Sequence, residues 1–209
     1  MTQKQNHQSA KGNCLSKVIL RATTAAFLAI FLIFNAGEVS AQGAPVKLKV
    51  VSANYEYSLA PQGGNTYGAW NMFDGNPATV WAVSLNDRRI YTGDGDRGSN
   101  WIWGPYIEVP CKKLSHIVIR NGYGKSASAY INNSRATFIS FEIEGSYDLG
   151  NFDATLRDTP DAQLVNVPYN AEWNNNISAI QISFDNRGVV RGAKWNDLCI
   201  TEIEFWGWK

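Results

Sequence analysis

The sequence is short of the residues that catalysis at neutral pH most often uses. It holds two histidines and three cysteines in 209 residues, and beyond residue 41 these reduce to His116, Cys111 and Cys199. A zinc site draws several His or Cys ligands, and Ser-His-Asp or Cys-His chemistry sets a histidine in a loop-built cleft. His116 instead sits inside an alternating strand pattern, on what reads as its solvent face. There is no glycine-rich phosphate loop. Asp and Glu are plentiful, but no carboxylate pair stands out as a glycosidase pair would. Charge of one sign is also lacking: residues 42–209 carry 15 basic and 17 acidic side chains. That balance gives no bulk field for nucleic acid or an anionic membrane.

Long apolar runs are absent too. Residues 25–34 form an uncharged apolar stretch, shorter than the about 20 residues a spanning helix needs. Lys4, Lys11, Lys17 and Arg21 precede it, and Val39-Ser40-Ala41 supplies small residues for cleavage. The three-part layout reads as a signal peptide over residues 1–41, with an uncleaved N-terminal anchor as the alternative. It implies a secreted, periplasmic or extracellular product. In such a compartment Cys111 and Cys199 are expected to bridge; otherwise they are two buried thiols that never meet.

What is present is short-period alternation. Leu114, Ile117 and Ile119, then Ile139, Phe141 and Ile143, then Ile180, Ile182 and Phe184, then Ile203 and Phe205 each alternate with polar neighbours. Period two with one apolar face is the signature of a half-buried strand. Leu48–Val51, Tyr106–Val109 and Gln163–Val167 add further candidates. Glu142 and Glu144, and likewise Glu202 and Glu204, fall on polar faces. Turn residues cluster at 86–87, 92–96 and 185–188, and a helical turn fits 68–73. Many short strands punctuated by turns predict an all-β jelly-roll β-sandwich. Residues 42–46 read as a flexible entry and 47–209 as one domain.

Phe73-Asp74-Gly75-Asn76-Pro77-Ala78-Thr79-Val80-Trp81 is the sharpest local signal. A tight loop of this kind can aim several oxygens at one point, as a hard cation such as calcium requires. It can equally be an Asp-Gly turn with a capping Asp and a core Trp. Asp-Gly-x-x-x-Thr-x-Trp resembles the loop of discoidin domains, the coagulation factor V/VIII C-type or galactose-binding-like fold. Ile200-Thr201-Glu202-Ile203-Glu204-Phe205 resembles that fold's last strand. Asn121-Gly122-Tyr123, Asn133-Ser134-Arg135 and Lys194-Trp195-Asn196-Asp197 are similar to a narrower branch, the translocation domain attached to secreted NAD glycohydrolases, where it is proposed to bind glycan. The resemblance runs from about residue 50 to the end. It implies a structural calcium held by Asp74 and Glu202 carboxylates with oxygens from Asn71, Asn76, Thr79 and Thr201. It implies no NAD glycohydrolase activity, because no such catalytic part is present in this sequence.

Jelly-roll modules present ligands at end loops, and a sugar offers an apolar face to an aromatic ring and hydroxyls to polar groups. The segment 121–135 supplies Tyr123, Lys125, Tyr130, Asn133 and Arg135. These read either as ligand contacts or as residues pinning the loop, with Tyr123 a lid over the core. Trp70 and Trp101 are further ligand candidates, with Trp103 on the face of Trp101. Trp81, Trp195 and Trp206 are expected to anchor the core or a sheet edge. Asp94-Gly95-Asp96 reads as a turn or a second cation loop. The expected function is non-catalytic binding of a glycan or glycoconjugate. Adhesion to a protein or a phospholipid headgroup is the alternative, followed by acidic glycoside hydrolysis. The lone Ile131 at the 121–135 tip argues against a lipid partner. The sequence leaves the oligomeric state open.

Overall fold

The computed structural model describes residues 43–91, 100–145, 149–171 and 173–209. The expected signal segment and the Asp94-Gly95-Asp96 turn lie outside the described residues. The body Ala44–Lys209 contains strands β1 (Val46–Lys47), β2 (Ser52–Asn54), β3 (Trp81–Ser84), β4 (Trp101–Cys111), β5 (Lys113–Asn121), β6 (Arg135–Ala136), β7 (Phe138–Glu144) and β8 (Leu149–Thr155). It continues through β9 (Ala162–Asn166), β10 (Ile177–Asp185), β11 (Val189–Val190) and β12 (Asp197–Trp208), with one short helix, α1 (Ala127–Asn132), among the described residues.

Two five-stranded antiparallel sheets make the sandwich. One runs β1-β12-β5-β9, with β3 also on β12; the other runs β2-β4-β10-β7-β8. The alternating apolar positions read from sequence all face inward: Leu114, Ile117, Ile119, Ile139, Phe141, Ile143, Ile180, Ile182, Phe184, Ile203 and Phe205 are buried in one core. Burying that set is the main driving force for closing the sheets on each other. Trp81 anchors the core as expected, stacked on Phe184 at 5.6 Å and edge-on to Tyr55 at 5.4 Å. His116 does sit outward, stacked on Trp206 at 5.5 Å across β5 and β12. The helical turn at 68–73 is a 3₁₀ turn over Ala69–Met72, with Ala69 and Met72 buried.

Three expectations change. Leu48–Val51 is not a strand but the crossing between sheets: β1 pairs with β12 and β2 with β4, and residues 48–51 carry the chain from one to the other. Leu48 and Val50 are buried in the crossing, which is what their alternation reported. β1 begins at Val46, inside the stretch read as a flexible entry. The Cys111–Cys199 disulfide is absent, because both are free buried thiols. Cys111 ends β4 in the main core, whereas Cys199 lies in a separate small cluster with Val80 and Ala82. Burial pushes the Cys111 thiol up to about 12 and Cys199 upward as well, so both stay neutral and inert toward exchange.

Candidate functional site

The Asp74 loop is folded on itself by its own side chains. Asp74 Oδ1 accepts from Asn76 N at 2.8 Å, and Asp74 Oδ2 accepts from Thr79 Oγ1 at 2.8 Å. Asn76 Oδ1 accepts from Ala78 N, and Asn71 Nδ2 donates to the carbonyls of Thr66 and Val80. Gly75 adopts φ +72°, a left-handed turn that glycine takes without cost, and its backbone amide lies close enough to the Glu202 carboxylate to favour the charged form. The loop thus closes on β12. Alternation put Glu202 on the solvent face with Glu204, but the loop covers it and it is 5% exposed. Burial pushes its carboxyl up to about 7; Lys47 pulls it down and Asp74 pushes it further up. Glu202 Oε1 is buried with no hydrogen-bond partner.

An orphaned carboxylate oxygen beside a second carboxylate suits a cation. The Asp74 loop adds the Thr79 hydroxyl and the Asn76 carbonyl, oxygens of the kind a hard ion such as calcium takes. The residues therefore fit the ion that the resemblance implies. No group of three or more His, Cys, Asp or Glu comes together among the described residues, so backbone and hydroxyl oxygens would complete the shell. Thr201 spends its hydroxyl elsewhere: Oγ1 donates to Gly122 O at 2.6 Å and accepts from Gly124 N at 2.7 Å, tying the 121–135 segment to β12.

That segment divides its candidate residues between two tasks. Gly122 sits at φ +71°, where a Cβ would lie 2.6 Å from the Tyr130 ring, so only glycine lets the chain turn there. Tyr130 and Arg135 point inward. Arg135 is 7% exposed and donates Nε and Nη2 to Asp158 at 2.7 and 2.9 Å, and Nη1 to the carbonyls of Tyr130 and Asn133. Tyr130 donates its hydroxyl to Asp158 at 2.8 Å and lies under the guanidinium. The guanidinium beside Asp158 holds that carboxyl below its usual range. Tyr130 and Arg135 are therefore engaged in pinning the loop. Lys125 is exposed on its outside.

Tyr123 and Asn133 face the other way, into an end cavity of about 200 Å³ lined also by Gln62, Tyr67, Trp195 and Asp197. Tyr123 donates its hydroxyl to Ala78 O at 3.3 Å, bracing the cavity against the Asp74 loop. Asn133 Nδ2 donates to Ala129 O at 2.9 Å at the end of α1. Trp195 is neither core nor sheet edge: it is 43% exposed, with Lys194 Nζ 4.6 Å over its ring. Burial pushes the Asp197 carboxyl upward. Sequence reasoning named Tyr123 and Asn133 and missed Tyr67, Gln62 and Asp197. The Lys194-Trp195-Asn196-Asp197 motif was the available signal for Trp195 and Asp197.

Trp70 and Trp101 are elsewhere. Trp70, 49% exposed, borders a cleft of about 420 Å³ with Lys47, Lys49, Phe73, Glu202 and Glu204. Glu204 is engaged there by Lys47 at 3.0 Å and by Trp206 Nε1. Trp101, half-buried on β4, packs edge-on to Phe138 at 5.9 Å.

The family model described as NAD glycohydrolase translocation F5/8 type C domain matches residues 46–206. A fragment of a Bacteroides thetaiotaomicron protein described as a candidate chitobiase shares the fold, with a TM-score of 0.53 and 14% identity, over 82% of this chain and 97% of that one. The family 32 carbohydrate-binding module of Clostridium perfringens NanJ, solved with galactose, gives 0.45 and 15%, over 77% and 99%. A family 32 module of Clostridium perfringens CpGH89, solved with GalNAc-β-1,3-galactose, gives 0.42 and 12%, over 76% and 94%. No curated protein matches the chain in sequence.

Proposed function

The chain belongs to the NAD glycohydrolase translocation F5/8 type C domain family, and from that premise we propose that it is a secreted, non-catalytic module that binds a glycan in the cavity between Tyr67, Tyr123 and Trp195. The observation that carries the reading is convergence. Three aromatic rings from three separate segments meet around one cavity with Gln62, Asn133 and Asp197 among them. Rings take the C–H face of a sugar, while amides and a carboxylate take its hydroxyls. The cavity, about 200 Å³, is below the roughly 300–1,000 Å³ of drug-sized sites, which suits a terminal sugar bound weakly and reversibly. Among the described residues Asp197 is the one carboxylate lining it, whereas glycoside hydrolysis uses a pair.

In the same reading a calcium ion joins the Asp74 loop to Glu202. Its role is structural: it would neutralise two carboxylates and fix the loop against which Tyr123 leans. Residues 1–41 act as the signal that delivers the module outside the cell.

Titration calorimetry with galactose and with GalNAc-β-1,3-galactose tests the glycan site. Tyr123→Ala and Trp195→Ala are each expected to weaken binding by about tenfold or more, given the roughly 0.5–1.5 kcal/mol of an aromatic contact and the apolar area lost with it. Trp101→Ala is expected to leave affinity unchanged. Equal affinity in the wild type and both cavity variants would move the site away from this end of the sandwich.

A further inference from the structure

Two 3₁₀ turns, Arg88–Ile90 and Asn186–Gly188, are built alike. In one, Asp87 caps the turn Arg88–Ile90 and its carboxylate holds Arg89 at 2.6 Å. In the other, Asp185 caps Asn186–Gly188 and holds Arg187 at 2.7 Å. Each of these guanidiniums has a carboxylate to neutralise it. Arg191, between them, does not. Its Nη1 donates to Asn196 Oδ1 at 2.9 Å and its Nη2 to Asn186 Oδ1 at 2.8 Å, and Asn196 Nδ2 in turn donates to Asn86 Oδ1 at 2.9 Å. A chain of three asparagine amides holds an exposed guanidinium in place without cancelling its charge, and no carboxylate pairs with it among the described residues.

A guanidinium has five N–H donors, so two bonds leave three for a ligand. Arg191 lies on the segment that carries Trp195 and Asp197 into the cavity, and Gly192 N is bonded to Ser134 Oγ beside Asn133. The second cation of this rim, Lys194, lies over the Trp195 ring. Inside the cavity the charge is reversed, because Asp197 faces it. An anion placed there would be repelled, while hydroxyls would be accepted. The site therefore separates into a hydroxyl-accepting interior and a cationic rim.

Resting on the glycan-binding reading above, we propose that the ligand is an acidic glycan, whose sugar hydroxyls enter the cavity and whose carboxylate or sulfate docks on the amide-held guanidinium of Arg191 beside Lys194. A fixed arginine suits planar or tetrahedral oxyanions, since it can present two parallel N–H donors.

The test is a binding titration of the protein with lactose, with a sialylated lactose and with a sulfated galactose. At least one acidic probe is expected to bind about tenfold or more tighter than lactose, in line with a charge-assisted hydrogen bond. The advantage should shrink as salt is raised, and the two acidic arms tell carboxylate from sulfate. Arg191→Gln should abolish the preference and leave lactose binding intact, while Arg187→Gln, whose charge Asp185 already neutralises, should change neither. Equal binding of all three probes by the wild type overturns the inference, as does an Arg191→Gln that weakens lactose and acidic probes alike. If Trp195→Ala leaves all binding intact, the glycan reading itself fails. If Trp195→Ala abolishes binding but the probes are not distinguished, the acidic preference alone fails.

Discussion

Replacing Arg135 by alanine is expected to lower the melting temperature by about 10 °C, with any loss of glycan affinity following from loss of the fold. The side chain holds Asp158 through two short bonds and caps the carbonyls of Tyr130 and Asn133. Its removal leaves two carbonyls unmet and a carboxylate uncompensated, and breaking a buried pair from one side costs about 3–5 kcal/mol. Asp158 is 40% exposed, and water discounts its share, so about 2–4 kcal/mol is expected. For a domain of this size each kcal/mol moves the midpoint by about 2–4 °C. Asp158→Asn should fall in the same direction, since it strands the cation instead. Because Arg135 depresses the Asp158 carboxyl, the pair stabilises above the ordinary carboxylate range and its contribution fades as pH drops through the lowered value. Thermal melting at neutral and acid pH checks both. An Arg135→Ala protein with an unchanged midpoint and no glycan binding would restore Arg135 as a ligand contact.

Glu202 is expected to make the ion-free protein less stable as pH rises from about 4.5 to about 7. The folded state raises this carboxyl to about 7 from an ordinary 4.5, chiefly by burial. Between those values the unfolded chain has lost the proton and the fold still holds it, so stability falls with pH across that window and levels off above it. The shift corresponds to about 3 kcal/mol. In chelator, Glu202→Gln should remove this slope and raise the midpoint at pH 8. With calcium added, the wild type should gain stability at pH 8 and little at pH 5, where the carboxyl must first lose a proton, while Glu202→Gln gains at neither. Melting curves of both proteins at the two pH values, with chelator and with calcium, decide it. A glutamine variant less stable than wild type in chelator at pH 8, or a wild type indifferent to calcium, would remove the ion from the account.

The strands were legible because period two survives in sequence wherever one face is buried. Ile139, Phe141 and Ile143 on β7 and Ile203 and Phe205 on β12 all lie where alternation put them. Alternation reports burial and not pairing, which is why Leu48–Val51 read as a strand when it is a buried crossing between sheets. It also cannot see what folds over a strand, so Glu202 read as exposed until the Asp74 loop closed on it. The end cavity was half legible. Tyr123 and Asn133 come from a segment dense in aromatic and polar residues. Tyr67 and Trp195 reach the same cavity from loops more than a hundred residues apart, and no local pattern records that meeting. Arg135 and Asp158 show the same limit: the arginine was visible, but its partner, 23 residues on, gave no sign of turning it inward.

The central claim, that the cavity between Tyr67, Tyr123 and Trp195 is where this protein meets a glycan, is tested most directly by following the eight tryptophan indole N–H signals by NMR during a glycan titration. The indole of Trp195 is expected to shift and saturate, together with the backbone amides of Tyr67 and Tyr123, while those of Trp70 and Trp101 stay in place. Saturable shifts confined to Trp70 or Trp101, with Trp195 unmoved, would contradict it.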